Sequence, residues 1–153
     1  MSEWEFVLRI FVATVLGGLI GLEREYRAKE AGFRTHFLVA LGSALFMIVS
    51  AYGFSTVPMV ATSRWDVARI AAQVVTGIGF IGAGTIIFHK SENVVSGLTT
   101  AAGLWVTAAI GLACGGGMYV IAIASTILVL TGLEAFNFIL HKIKRKKKEK
   151  EKE

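Results

Sequence analysis

Five long apolar runs alternate with short polar segments along the chain. A helix of about 20 residues, rising about 1.5 Å per residue, crosses the hydrocarbon core of a bilayer, which is about 30 Å thick. We therefore predict an all-α, polytopic membrane protein with a bundle of five transmembrane helices. The predicted helices are residues 6–22, 37–54, 67–88, 98–113 and 118–140. The five-span domain covers residues 1–141, and residues 142–153 form a basic cytoplasmic tail that we expect to be disordered.

The third run carries polar and small residues on two of its sides. At about 100° per residue, one side combines polar groups with glycines: Asp66, Arg69, Gln73, Gly77 and Gly84. The roughly opposite side consists of small residues: Ala68, Ala71, Ala72, Gly79 and Gly82. Small residues mark the places where membrane helices approach each other closely. We therefore expect this helix to be packed on both faces and to be the centre of fold and function.

Arg69 is an ionisable residue inside an apolar run, where an unpaired charge costs at least about 2.5 kcal/mol. Asp66 lies three residues before it and Gln73 four residues after it, and these are the spacings at which helical side chains meet. One interpretation is that Arg69 pairs with Asp66 inside the bundle. The alternative is that Arg69 lies shallow enough for its long side chain to reach the interface.

Small residues also recur in the first, second and fourth runs. They are Ala13, Gly17 and Gly21 in the first run, Gly42, Ser43 and Ala44 in the second, and Gly103, Thr107 and Gly111 in the fourth. A spacing of four residues keeps a series on one face of a helix. We therefore predict that these helices pack closely along those faces.

The polar segment after the first run starts directly at the helix end. Its candidate functional residues are Glu23, Arg24, Glu25, Arg34, Thr35 and His36. Basic residues in a short loop favour a solvated cytoplasmic segment that sets the topology. The alternative is that the residues at the helix end close against other helices. We expect His36 at a helix interface and not as a metal ligand, because no second His stands at ligand spacing.

Other polar candidates lie beside the later runs. Thr99 and Thr100 begin the fourth run, where their hydroxyls either bond backbone carbonyls or line a polar cavity. Glu23 and Asp66 are weak candidates for a metal site, because Mg²⁺ is usually held by carboxylates. We expect no cofactor, and Mg²⁺ is the one candidate ion.

Composition and charge agree with a membrane protein. Hydrophobic residues make up 54% of the chain and the mean hydropathy is +0.64. The single cysteine, Cys114, excludes an internal disulfide. The net charge of +5 comes largely from the tail, so it indicates no nucleic-acid binding.

The distribution of charge predicts the orientation. Most Lys and Arg residues lie in the first loop, at Lys90 and in the tail, which places the N-terminus in the periplasm and the C-terminus in the cytoplasm. Glu3 and Glu5 precede the first run, whereas a signal peptide would begin with a basic region, so we expect a retained helix. Arg9 near its start either reaches the interface or pairs with a buried acid.

Four motifs carry a family resemblance: GLIGLERE at 18–25, GFRTH at 32–36, RIAAQVVTGIGFIGAGTI at 69–86 and VSGLTTAAGLWVTAAIG at 95–111. In this order and spacing they resemble the MgtC/SapB family of bacterial membrane proteins over residues 8–133. The resemblance implies a five-span inner-membrane protein linked to growth in low magnesium. In a virulence-associated branch it also implies inhibition of the proton-translocating ATP synthase. Members of that branch have Asn where this chain has Thr99, and they continue into a soluble C-terminal domain, whereas we expect the transmembrane module alone here.

Three classes of function differ in the role that they give to the polar side of the third helix. A regulator or interaction partner of another membrane complex, linked to Mg²⁺ homeostasis, would bind through small faces and use its charges to set the register. A transporter or channel element for Mg²⁺ or another cation would line a path with acids, which are few here. An enzyme is not expected, because no nucleophile with a base, phosphate loop or metal-ligand cluster is visible. The expected partners are the lipid bilayer and either a second copy or another membrane protein.

Overall fold

The computed structural model describes the backbone of residues 2–54, 66–91 and 93–150, and their side chains except those of residues 67 and 136–150. The elements in these residues are α1 (Glu3–Tyr26), α2 (Phe33–Tyr52), α3 (Val67–Ala83), β1 (Ile87–His89), β2 (Val94–Ser96), α4 (Leu98–Gly115) and α5 (Tyr119–Lys150). Each predicted apolar run corresponds to one helix, so the prediction of an all-α bundle is confirmed. The last three residues of the predicted tail lie outside the described residues.

A short β-hairpin between α3 and α4 was missed. The third helix was predicted to reach residue 88, but it ends at Ala83, and Ile87–His89 then pairs antiparallel with Val94–Ser96. The strand residues are rich in β-branched and aromatic types, which favour strands. The hairpin meets α4 at Gly97, whose φ of 85° and close approach to the Thr85 carbonyl leave no room for a side chain. The fifth helix also exceeds its predicted bounds, because α5 continues to Lys150.

The core of the molecule lies between α1, α2 and α4, with α5 packed against it. One cluster of buried apolar residues joins these four helices: Ala13, Leu16, Ile20, Ala44, Ile110, Ala113, Cys114 and Ala122. Most of these side chains are small or medium in size, so the helix backbones lie close together. Close packing of this kind holds membrane helices together, since lipid is as apolar as the core itself.

Glycines in α1 and α4 form the closest contacts of this core. A Cβ atom added at Gly111 would lie 2.5 Å from the Ala40 carbonyl oxygen, and one added at Gly115 would lie 2.5 Å from that of Ala44. On α1, a Cβ added at Gly21 would lie 2.7 Å from the Phe33 Cα. The predicted packing of the small residues in α1 and α4 is therefore confirmed. On α2, Ser43 and Ala44 are buried as predicted, whereas nothing in the described residues lies within 4 Å of a Cβ added at Gly42.

Helix α3 lies at the edge of the bundle and not at its centre. A Cβ added at Gly82 would lie 3.5 Å from the Cβ of Ala101 in α4, which is an ordinary contact distance. Ile78 is buried. In contrast, nothing in the described residues lies within 4 Å of a Cβ added at Gly77 or Gly79. The expectation that this helix is packed on both faces was wrong for the single chain. A series of small residues permits close approach, but it does not say which helix approaches.

Three helices in the described part of the chain are long and apolar enough to cross a membrane: Glu3–Tyr26, Phe33–Tyr52 and Leu98–Gly115. Two further apolar helices, Ala68–Ala83 and Tyr119–Ala135, are shorter. Large apolar side chains lie on the outside of the bundle, as in Phe11 (63% exposed) and Phe80 (85% exposed). Such a surface is suited to lipid and not to water.

Candidate functional site at one end of the bundle

Among the residues whose side chains are described, most of the charged ones lie at the end of the bundle at which α1 passes into α2. The α1–α2 turn includes Ala28 at a positive φ of 51°. This turn packs beside the first turn of α4 and beside Glu134 of α5. We call the residues that meet here the end cluster: Glu23, Arg24, Glu25, Arg27, Glu30, His36, Thr100 and Glu134.

Arg24 is the buried cation of the end cluster, with 2% of its surface exposed. The guanidinium donates through Nε to the adjacent Glu23 carboxylate and through Nη2 to Glu23 Oε1 at 2.6 Å. A buried charge of this kind depends on its partner, because removing one member leaves the other uncompensated. Of the two interpretations of this segment, closure against other helices therefore holds for Arg24.

Arg27 ties α1 to α5. Its Nη2 donates to both carboxylate oxygens of Glu134 at 2.7 Å, and its Nε lies 3.7 Å from Glu23 Oε1. Glu23 therefore lies between two guanidinium groups. Neither Arg27 nor this contact was singled out from the sequence, although the spacing of four residues between Glu23 and Arg27 is a signal for helical pairing.

Glu25 and Glu30 accept hydrogen bonds from neighbouring elements. Glu25 Oε2 accepts from the backbone N–H of Phe33 at 2.7 Å, so it satisfies a free donor at the start of α2. Glu30 Oε2 accepts from the Thr100 hydroxyl at 2.6 Å. This bond lowers the pKa of Glu30 below its usual 4.5, because it stabilises the ionised carboxylate.

A cleft of about 640 Å³ opens beside this hydrogen bond. Its polar lining comes from Arg24, Lys29, Glu30, Ser96, Thr99 and Thr100. Thr100 is buried and Thr99 is exposed. The alternative in which these threonines line a polar cavity therefore agrees with the structure, and Thr100 bonds a carboxylate.

His36 is fully buried where α1, α2 and α4 meet. Its Nδ1 lies 3.0 Å from the Gly32 carbonyl oxygen, whereas its Nε2 has no hydrogen-bond partner among the described residues. Gly103 of α4 is adjacent, since a Cβ added there would lie 3.4 Å from Nε2. The structure thus places His36 at a helix interface, as predicted. Arg34 is exposed and Thr35 half-buried in the same turn of α2.

The described residues contain no ready set of metal ligands. No group of three or more His, Cys, Asp or Glu side chains there is placed to hold a metal ion. Glu23 is already engaged by Arg24, and Asp66 lies at the start of α3, outside the end cluster. The two weak metal candidates are therefore not brought together.

The predicted pair of Asp66 and Arg69 is not formed. The Asp66 carboxylate caps α3 by accepting from the Ala68 N–H at 3.1 Å, and Arg69 is exposed. Among the described residues, Arg69 has no ion pair with Asp66 or any other acid. Of the two interpretations of Arg69, pairing with Asp66 therefore does not hold in the single chain, because the N-cap carboxylate bonds a first N–H group of its own helix, and the exposed position agrees with the alternative.

Arg9 holds together the opposite end of the bundle. Its guanidinium donates to the Gly115 carbonyl oxygen at 2.7 Å, to the Tyr52 hydroxyl at 3.3 Å and to Glu5 Oε1 at 3.1 Å. Arg9 is 6% exposed, so it points into the bundle and does not reach outward along the surface. The pairing alternative holds in part, because Glu5 is an acid but its side chain is 40% exposed.

Comparison with known proteins decides the family. A family model described as the MgtC family matches residues 10–142. The chain belongs to the MgtC family. With this family and its apolar helices, it is a multi-pass membrane protein.

This MgtC family member is similar in sequence to curated relatives that carry different names. It is 51% identical over 142 residues to "Putative magnesium transporter YhiD" of Escherichia coli (strain K12), covering 93% of this chain and 65% of YhiD. It is 40% identical over 139 residues to Protein SapB of Bacillus subtilis (strain 168), covering 91% of this chain and 60% of SapB. It is 45% identical over 130 residues to Protein MgtC of Salmonella typhimurium (strain LT2), covering 85% of this chain and 52% of MgtC.

The chain spans between about half and two thirds of the length of these relatives. No solved structure matches it. The family match therefore identifies this chain with the membrane module of its relatives. It does not by itself assign the activity of the longer relatives to this chain.

Proposed function

We propose that this MgtC family protein is a regulator or interaction partner of another membrane complex, linked to Mg²⁺ homeostasis or adaptation to low Mg²⁺. It would act in the bacterial inner membrane, with its N-terminus in the periplasm and its C-terminus in the cytoplasm. The proposal includes no enzymatic activity and no resident cofactor. It carries over to this chain the magnesium link in the name of the relative YhiD.

One surface of α3 carries the proposal. We call it the open face: Ala68, Ala72, Thr76, Gly79 and Ala83, all of which are exposed. Small residues give a membrane helix a surface that another helix can approach closely, and the gain in van der Waals contact then exceeds that with lipid. In α1 and α4 such residues contact helices of the same chain. On the open face of α3 they are available to a helix of another protein.

The pairing of the charges supports the same proposal. Arg24, Arg27 and Arg9 each contact a carboxylate within the chain, and the bonds of Arg27 to Glu134 and of Arg9 to Gly115 join different helices. Mg²⁺ keeps several waters and is usually bound by carboxylates that are not already neutralised. Acids engaged by arginine are poor ligands for a cation that crosses the membrane.

The arrangement of the loops supports the orientation. The loop with Lys29 and Glu30 contacts the first turn of α4, and the hairpin with Lys90 directly precedes that turn. The two loops that carry basic residues therefore lie at the same end of the bundle as the end cluster. Basic loops stay in the cytoplasm. Reporters fused after Glu153 should be active in the cytoplasm and reporters at the N-terminus in the periplasm. A cytoplasmic N-terminus would contradict the proposed orientation.

A cation transporter or channel element is the second candidate. The cleft of about 640 Å³ contains Glu30, whose lowered pKa keeps it ionised near neutral pH. Arg24 and Lys29 line the same cleft and would repel a cation. This candidate therefore needs a path in which Glu30 is separated from both.

Cross-linking from the open face tests the regulator proposal. Cys114 is buried, so Ala72→Cys adds an accessible thiol on the open face. We expect a photoactivatable reagent attached to this thiol to cross-link the variant in native membranes to another membrane protein, and Gly79→Leu to reduce both the product and growth in low Mg²⁺. Ala124→Cys on the exposed side of α5 is the matched control and should give no product. Mg²⁺ flux in liposomes that contain only the purified chain would favour the transporter instead.

A further inference from the structure

A second side of α3 forms an apolar groove with α2. The groove has a volume of about 360 Å³. Its lining includes Val39, Phe46, Ile70, Val74, Ile78 and Ile81, and Ser43 and Gln73 are its polar side chains. Gly42 and Gly77 also line it, and nothing in the described residues lies within 4 Å of a Cβ added at either. The absence of side chains at these two positions keeps the groove open.

Arg69 is not one of the residues that line this groove, but it lies one helical turn before Gln73, which does line it, on the same side of α3. It is the third residue of α3, about 3 Å along the helix from Val67, and it is exposed without an ion pair among the described residues. A guanidinium so near the end of an apolar helix can extend on its long side chain towards the level of the lipid phosphates. It therefore presents an exposed cation that an anionic group of the membrane can approach.

We infer that the groove binds one phospholipid of net negative charge. The Arg69 guanidinium contacts the phosphate, for which its planar donors are well suited. Gln73 lies one turn deeper, about 6 Å along the helix, where its amide can donate to an ester carbonyl of the lipid. One acyl chain then lies along the apolar wall from Ile70 to Ile81.

The dimensions of the groove agree with an acyl chain. Ile70 and Ile81 are separated by about 16 Å of helix, and half of the hydrocarbon core is about 15 Å thick. The groove has a volume of about 360 Å³, which together with its length suits one chain of methylene groups. The open face and the lipid groove are thus separate sides of α3.

Lipid titration of the purified full chain tests this inference. The protein in detergent is titrated with phosphatidylglycerol or with phosphatidylcholine of the same acyl chains, and bound lipid is counted by native mass spectrometry. We expect the wild type to prefer phosphatidylglycerol, and Arg69→Gln to lose about tenfold in affinity for it, as expected for one charge-assisted contact. Arg69→Lys should keep part of the preference. Lys90→Gln, the same charge change at an exposed loop position, should keep all of it.

Filling the groove supplies the second arm of the test. Gly77→Leu and Gly42→Leu should weaken binding of both lipids, whereas Ala124→Leu on the exposed side of α5 should not. Each variant is first checked for a thermal transition like that of the wild type. Equal affinity of the wild type for the two lipids would overturn the inference, and so would an unchanged preference in Arg69→Gln. Competition by inorganic phosphate as strong as that by the whole lipid would also overturn it, because the acyl chain would then contribute nothing.

Discussion

The core formed by α1, α2 and α4 and the peripheral helix α3 are both rich in small residues, yet they use them differently. In the core, a Cβ added at Gly111 would meet a backbone oxygen at 2.5 Å, whereas one added at Gly79 of α3 would meet nothing in the described residues within 4 Å. The ionic groups differ in the same way, since Arg24 is buried against Glu23 and Arg69 is exposed. Small residues and charges therefore support the fold in one region and remain available for binding in the other.

Removing the acid beside Arg24 should give the largest effect. Glu23→Gln leaves the buried guanidinium without its carboxylate, and we expect it to lower the free energy of unfolding by about 3 kcal/mol. The matched change on α3 is Asp66→Asn, which should cost well under about 1 kcal/mol because Asn also caps helices well. Thermal unfolding in detergent measures both. Equal losses in the two variants would show that the regions do not differ in this respect.

Adding bulk at glycine should give the next effect. Gly111→Leu forces α4 away from Ala40 of α2 and should cost about 1–3 kcal/mol, as overpacking does. Gly79→Leu should change the stability of the isolated chain by no more than about 0.5 kcal/mol, as expected at an exposed site. Gly82→Leu, next to Ala101, should lie between them. The midpoint of thermal unfolding orders the three variants, and a different order would contradict the assignment of α3 to the edge.

Acid should weaken the contact between the α1–α2 loop and α4. The folded-state pKa of Glu30 lies below its usual 4.5, so its bond to Thr100 stabilises the folded protein fully above pH 4.5. This stabilisation is lost as the pH falls through the folded-state pKa. Thr100→Val should raise that pKa towards 4.5. Thr76→Val on α3 is the control, because its hydroxyl bonds the Ala72 carbonyl of its own helix. Carbon-13 NMR of the Glu30 carboxyl follows the titration, and the same pKa in wild type and Thr100→Val would contradict the role of this hydroxyl.

The smallest expected effect is a coupling energy close to zero. Since Asp66 caps α3 and Arg69 is exposed, the effects of Asp66→Asn and Arg69→Ala on stability should add within about 0.5 kcal/mol. A double-mutant cycle on thermal unfolding measures the coupling. A larger coupling would restore the pairing that the sequence spacing predicts.

The regular features of the helices could be predicted because they depend on local spacing. The glycine series of α1 and α4 predicts close packing wherever a partner helix lies. The partner itself depends on the order and rotation of the helices, and so the exposure of Gly79 could not be predicted. The hairpin was missed because the apolar run of α3 continues through Ile87 and Phe88, and periodicity does not separate a short strand from a last helical turn.

The contacts of the candidate site were less predictable than its residues. Glu23 and Arg24 could be selected because charge at the end of an apolar helix is unusual. The bond from Thr100 to Glu30 joins residues 70 apart, and the contact from Arg27 to Glu134 joins residues 107 apart. Contacts over such distances depend on tertiary structure, which no local pattern contains.

Three hydrogen bonds of Arg9 also imply an order of events during biosynthesis. Glu5 is already present when Arg9 is made, Tyr52 follows 43 residues later, and Gly115 follows 106 residues later. At a synthesis rate of about 5–20 residues per second, the Gly115 carbonyl becomes available roughly 5–20 s after Arg9. During this interval Glu5, four residues away in the same helix, is the first of these three hydrogen-bond partners to be in place beside the cation. The first helix thus carries an early partner for its own charge, and the second and fourth helices add the other two as they are inserted.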